Sequence, residues 1–151
     1  MTGRLQNPWA LRLSAWILGL TFLAAAWPKV ADPPAFAQAL HAYRLLPDAA
    51  LAPLALLLPW LEGILALALI SGLARRSAAL AALVLLAVFA GALALNLARG
   101  NPVDCGCFGA AKPRSAEERL GDMRLAIGRD LLLALFALHL VAMSKAKDAG
   151  P

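Results

Sequence analysis

Four stretches of this chain, Ala10–Trp27, Leu51–Gly72, Ser77–Leu97 and Leu125–Met143, are apolar over close to the ~20 residues that carry a helix across ~30 Å of hydrocarbon at ~1.5 Å per residue. Segments of that kind decide the fold class before any other feature is weighed. Alanine and leucine dominate them, valine and isoleucine are sparse, and no in-out alternation of a membrane barrel strand occurs, so all four read as helices. A content of 62% hydrophobic and 15% charged residues, with a mean hydropathy of +0.72, lies far from soluble domains and agrees. In 151 residues there is room for these spans and short connections, so the expected fold is all-α: one integral membrane domain over 1–151, a four-helix transmembrane bundle. Gly63, Gly72, Ala81, Ala82 and Gly91 are small enough to let helices approach closely, and Pro53 and Pro59 are expected to kink the second span.

The first span imitates a signal peptide, with Arg4 and Arg12 ahead of it and Ala24, Ala25 and Ala26 near its end. Its length, and the placement of Trp9 and Trp27 as interfacial anchors at either end, argue for a retained helix. Orientation follows from the basic residues. Arg4, Arg12, Arg75, Arg76, Lys145 and Lys147 crowd short segments whose sole acid is Asp148, whereas Lys29, Arg44, Arg99, Lys112, Arg114, Arg119 and Arg124 are spread over two longer loops with six acids. By density of positive charge both termini are expected in the cytoplasm and the 98–124 loop on the outer face. The net charge of +5 reads as a topology signal and an attraction to anionic lipid, and nothing in it calls for nucleic acid.

That loop holds the only two cysteines, Cys105 and Cys107, within Asp104-Cys105-Gly106-Cys107-Phe108-Gly109. On an outer face disulfides form and persist. Cysteines separated by one residue have alpha carbons at most about 7 Å apart, near the upper limit for a disulfide, so a bond between them closes a small, strained and readily exchanged ring. Gly106 tolerates the backbone angles this needs, and Asn101, Pro102 and Gly109 bracket the turn. Redox exchange is therefore the favoured reading. Three others stay open: a structural disulfide, half of a metal site with His41, His139 or Asp104 as further ligands, and two unpaired thiols. We expect no metal.

Charged residues inside the spans form a second constellation, because a charge there is costly and faces a partner or a polar cavity. Glu62 lies about 16 Å along the second span and Arg129 about 6 Å along the fourth. A Glu62–Arg129 ion pair joining those spans is one expectation. A polar pocket or proton path beneath the thiols is the other, with Asn96 joining it and with Lys29 and Arg129 favouring thiolate over thiol. Arg129 and Asp130 are sequence neighbours and point different ways on a helix, so adjacency alone is not expected to pair them.

Trp27-Pro28-Lys29-Val30-Ala31-Asp32-Pro33, Phe36, Tyr43, Leu46-Pro47, Pro59-Trp60-Leu61-Glu62, the Cys-Gly-Cys-Phe-Gly motif and an arginine opening the last span together resemble the MauE family of methylamine utilisation, within the DoxX-like membrane proteins. The likeness runs over roughly residues 10 to 143. Where that family usually has Arg-Asn, this chain has Arg129-Asp130. The resemblance implies a multi-pass protein of the bacterial inner membrane engaged in periplasmic thiol chemistry alongside a thioredoxin-like partner. Cys105 and Cys107 would be the exchange thiols and Lys29, Glu62 and Arg129 supporting positions, with the substrate left open. With no cysteine on the cytoplasmic side, a thiol relay across the bilayer is disfavoured. A disulfide generator would need an acceptor, for which a quinone near Trp27, Phe108 and Arg129 is the expectation. Two rivals are a non-enzymatic docking subunit for a redox protein and a small-molecule carrier, the latter weakened by few intramembrane polar residues and no visible inverted repeat.

Overall fold

Lipid leaves a helix's packing face as the place where small and polar side chains collect, and the chain is organised around such faces. A computed structural model gives its structure over residues 8–104 and 115–148, with side chains described to residue 144. Among the described residues there are five helices and no strand: α1 Pro8–Ala31, α2 Pro33–Ala42, α3 Asp48–Ser71, α4 Arg75–Ala98 and α5 Ala116–Asp148. Four of them, all but α2, are long and apolar enough to cross a membrane. The all-α, four-span architecture read from the sequence is thus present.

Two elements depart from that reading. Helix α2 occupies what was expected to be loop, and α5 begins at Ala116 rather than near Leu125. Both carry local start signals. The Asp32 side chain caps α2 by accepting from the Ala35 N–H at 3.0 Å, and Pro33 and Pro34 fill first-turn positions whose N–H groups a helix leaves unused. At α5 the Ser115 hydroxyl accepts from the Glu118 N–H at 3.2 Å while the Glu118 carboxylate accepts from the Ser115 N–H at 2.8 Å, a reciprocal capping box. These signals start helices in segments too short or too polar to read as apolar runs. Helix α3 continues through Pro53 and Pro59 and ends at Gly72, whose φ of 77° is the left-handed cap glycine adopts without strain.

Helix α1 packs most extensively on α3, and α4 on α5, while α2 lies against α3. Ala15, Leu18 and Phe22 of α1 meet Leu65, Ala66 and Leu69 of α3 in a core that Ala82, Leu86, Leu133, Ala137 and Leu140 extend through α4 and α5. The opposite faces carry Leu20, Leu23, Leu67, Val84, Val88, Leu131 and Leu135 in exposed positions, the surface expected to meet acyl chains.

The close approach of α1 and α3 is set by Gly19. A Cβ there would lie 2.5 Å from Ile70 Cγ1 and 3.0 Å from the Ala66 carbonyl oxygen. Gly63 and Gly91, expected as close-contact glycines, have nothing within 4 Å of such a Cβ, so neither sets a helix–helix contact. Gly19→Leu is therefore expected to destabilise the bundle by about 1–3 kcal/mol through overpacking, and Gly63→Ala to leave it unchanged or slightly stabilised. Thermal unfolding in detergent, followed by helical circular dichroism, separates the two.

Candidate functional site

Lys29 stands in the last turn of α1 and Glu62 in the middle of α3, and α1–α3 packing closes over both. Lys29 Nζ donates to Glu62 Oε1 at 2.6 Å, with Lys29 3% and Glu62 1% exposed. The ammonium also lies 5.1 Å from the ring centroid of Phe36 on α2 and 5.1 Å from that of Phe89 on α4. Those ring faces are worth about 0.5–2 kcal/mol each to a desolvated cation. One lysine thus ties four elements of chemistry together: a carboxylate from α3, rings from α2 and α4, and its own helix.

The second charged pair corrects an expectation. Arg129 Nε and Nη2 both donate to Asp130 Oδ1, at 3.0 and 2.8 Å. Neighbouring positions do diverge by about 100° around a helix, but the arginine stem is long enough to curl sideways and bring its guanidinium onto the next residue's carboxylate. Asp130 is 3% exposed. Lys29, Glu62, Arg129 and Asp130 all line one small cavity of about 30 Å³ with Phe22 and Phe89. Their meeting is a matter of register: with α5 starting at Ala116, Arg129 lies about 20 Å along its helix, matching the about 21 Å of Glu62 from Asp48. Two formal cations and two formal carboxylates make the cluster neutral as a unit.

Asn96 is fully buried but serves elsewhere. It donates to the Ala92 carbonyl at 3.0 Å and accepts from Asn101 Nδ2 at 2.8 Å, and the same Asn101 amide donates to the Ala42 carbonyl at 3.1 Å. Asn96 and Asn101 therefore fasten the start of the α4–α5 connection to α4 and to the end of α2, and Asn96 does not line the charged cavity. Val103 is buried against Leu93, Met123 and Ala126, with Tyr43 beside them. Asp104 follows, its carboxylate 4.0 Å from Arg119 Nε on α5. Cys105, Gly106, Cys107, Phe108 and Gly109 lie outside the described residues. The anchored segment Asn101 to Asp104 leads directly into them, at the same end of the bundle as α2.

Of the residues singled out in the sequence, Lys29, Glu62, Arg129 and Asp130 are brought together, while Asn96 holds the adjoining loop. Phe89 was missed as a member of the site, while Asn101, expected to bracket the cysteine turn, also bonds to Asn96 and to the end of α2. Phe89 had a weak signal, as the lone aromatic of the Ala- and Leu-rich α4, but nothing in spacing aims it at a lysine three helices earlier. His139, considered as a metal ligand, lies with Nδ1 3.3 Å from the Ser14 hydroxyl, between α5 and α1. Among the described residues no group of three His, Cys, Asp or Glu side chains comes together as a metal site.

A model of the family described as methylamine utilisation protein MauE matches residues 7–143. The chain is 44% identical over 101 residues to the methylamine utilization protein MauE of Paracoccus denitrificans, covering 66% of this chain and 53% of that protein. It therefore spans about half the length of that relative. With the protein of the same name from Methylophilus methylotrophus it is 35% identical over 144 residues, 95% of this chain and 73% of the relative. With that of Methylorubrum extorquens it is 36% identical over 134 residues, covering 87% and 69%. No solved structure matches.

Proposed function

The chain belongs to the family of the methylamine utilisation protein MauE, and from that premise we infer that it is a thiol-disulfide exchange protein of the bacterial inner membrane, its Cys-Gly-Cys loop on the periplasmic face. Cys105 and Cys107 are the exchange pair. A thioredoxin-like partner forms a mixed disulfide with one of them, and the other resolves it. Each cycle moves two electrons: as the loop disulfide becomes a dithiol, the partner's dithiol becomes a disulfide, and the reverse restores both. The product is a disulfide-bonded periplasmic protein, and methylamine utilisation, for which the relatives are named, is the setting in which to seek it first.

The observation that carries this reading is the anchoring of the segment ahead of the cysteines. Asn101 is bonded to both α2 and α4, Val103 is buried, and Cys105 follows Asp104 directly. That fastening fixes where the chain enters the Cys-Gly-Cys loop, and exchange depends on access to the attacking sulfur. Dense positive charge at the termini and at the α3–α4 turn supports the outward assignment.

Cycling of the pair tests the proposal. Purified protein in lipid nanodiscs is treated with glutathione disulfide or with a reduced dithiol, quenched in acid, and alkylated with a polyethylene-glycol maleimide. The expected result is a shift between none and two reactive thiols that is reversible on changing the reagent. A pair that stays in one state across the accessible range of potentials contradicts it.

A further inference from the structure

Between α2, α3 and α4 a groove of about 500 Å³ opens at the lipid-facing side of the bundle, within the size range of sites for drug-sized ligands. Its walls are apolar almost throughout, among them Phe36, Tyr43, Phe89 and Gly91, and the charged groups reaching it are Lys29 and Asp130. We propose that this groove binds the ring of a membrane quinone, with the Lys29 ammonium donating to one of its carbonyl oxygens. The inference rests on the exchange reading above, for which it names the electron acceptor.

Three features select a quinone among lipid-soluble molecules. The first is charge. Lys29 and Arg129 are matched by Glu62 and Asp130 around the adjoining cavity, so the cluster presents a hydrogen-bond donor without net positive charge. That suits a neutral carbonyl and gives no advantage to a phosphate headgroup. The second is donor capacity: an ammonium has three N–H bonds, and Glu62 Oε1 takes one of them. The third is aromatic lining, since Phe36, Tyr43 and Phe89 offer ring faces and edges to a flat conjugated ring, while the open side lets an isoprenoid tail run into lipid. Trp27, expected near the acceptor, instead faces outward and is 76% exposed.

The described residues just ahead of the thiols pack beside the groove. Leu93 and Tyr43 line it and pack in the same cluster as Val103. From Val103 to Cys105 is two residues of chain, at most about 7 Å. The reaction balances without other partners: one thiolate adds to a ring carbon of the quinone, the second attacks the first sulfur, the carbon–sulfur bond breaks, and its electron pair enters the ring. Two thiols become a disulfide and the quinone becomes a quinol, taking the two thiol protons, one of them at the oxygen held by Lys29.

The test uses the full chain in nanodiscs, an azido-benzoquinone photolabel and decylubiquinone as competitor. Gly91 lines the groove, and a Cβ there meets nothing within 4 Å, so Gly91→Phe fills the space without straining the backbone, and Gly91→Leu serves as a milder second variant. Expected are labels on groove residues, loss of labelling with excess decylubiquinone, and at least a tenfold drop in labelling in Gly91→Phe with helical content retained. Labelling that Gly91→Phe leaves intact, or that phosphatidylglycerol displaces as well as decylubiquinone does, overturns the assignment. Wild-type thiols that exchange with glutathione disulfide while the groove takes no label would sink the quinone site and leave thiol exchange standing. Labelling of the groove in a chain whose thiols never exchange would do the opposite.

Discussion

Lys29→Met is expected to cost the bundle about 3 kcal/mol, the low end of what removing one partner of a buried ion pair exacts. Glu62 is 1% exposed and bonded to Lys29 at 2.6 Å, so taking away the ammonium removes its cation in a place where water cannot substitute. The cost stays at the low end because the Arg129 guanidinium lines the same cavity and offers a second positive charge. The Phe36 and Phe89 contacts go with the ammonium and add to the loss. Replacing both partners removes the unbalanced charge, so Lys29→Met/Glu62→Leu is expected to recover most of the stability, with a double-mutant coupling energy of about 2–3 kcal/mol. Denaturant unfolding in mixed micelles of the two single variants and the double variant measures it. A double variant no more stable than Lys29→Met would mean that the two side chains act independently.

The second large effect falls on the thiols. Cys105→Ser and Cys107→Ser are each expected to abolish the formation of disulfide-bonded product in cells that depend on this chain, to the level seen without it. A hydroxyl keeps the size and polarity of the side chain but forms no bond to sulfur, so the resolving step or the attacking step disappears. Neither substitution touches the Lys29–Glu62 pair, so the thermal midpoint of both variants is expected to match that of the parent chain. Retained function in both would identify a docking subunit in place of an exchange protein. The assay is the redox state of the product protein's cysteines, read by alkylation and mass.

How far the sequence revealed all this varied with the physics of each element. Four spans were legible because hydrophobic run length is a direct requirement of lipid, and all four long helices fall on the expected runs. Helix α2 and the first nine residues of α5 were not, since their start depends on Asp32 with Pro33 and Pro34, and on Ser115 with Glu118, capping signals that hydrophobic run length does not register. The charged residues were legible as a set because each is out of place in an apolar helix. Their partners were not. The bond from Lys29 to Glu62 arises from the α1–α3 crossing at Gly19, a tertiary fact that no spacing within one helix encodes. The Arg129–Asp130 contact is not legible from Cβ directions, because the length of the arginine stem decides its reach. Asn96, expected to join the charged pocket, instead pairs with Asn101 in the loop beyond the helix end.

Trapping the exchange intermediate bears most directly on the central claim. Cys107→Ala and Cys105→Ala are expressed separately in cells making the periplasmic partner proteins, free thiols are blocked in acid, and the membranes are resolved without reductant. The expected result is that one of the two variants accumulates a covalent adduct with a thioredoxin-like protein, released by dithiothreitol and absent when both cysteines are replaced. If neither variant holds such an adduct, and the wild-type pair keeps a single redox state in the presence of that partner, thiol exchange is not what this chain does.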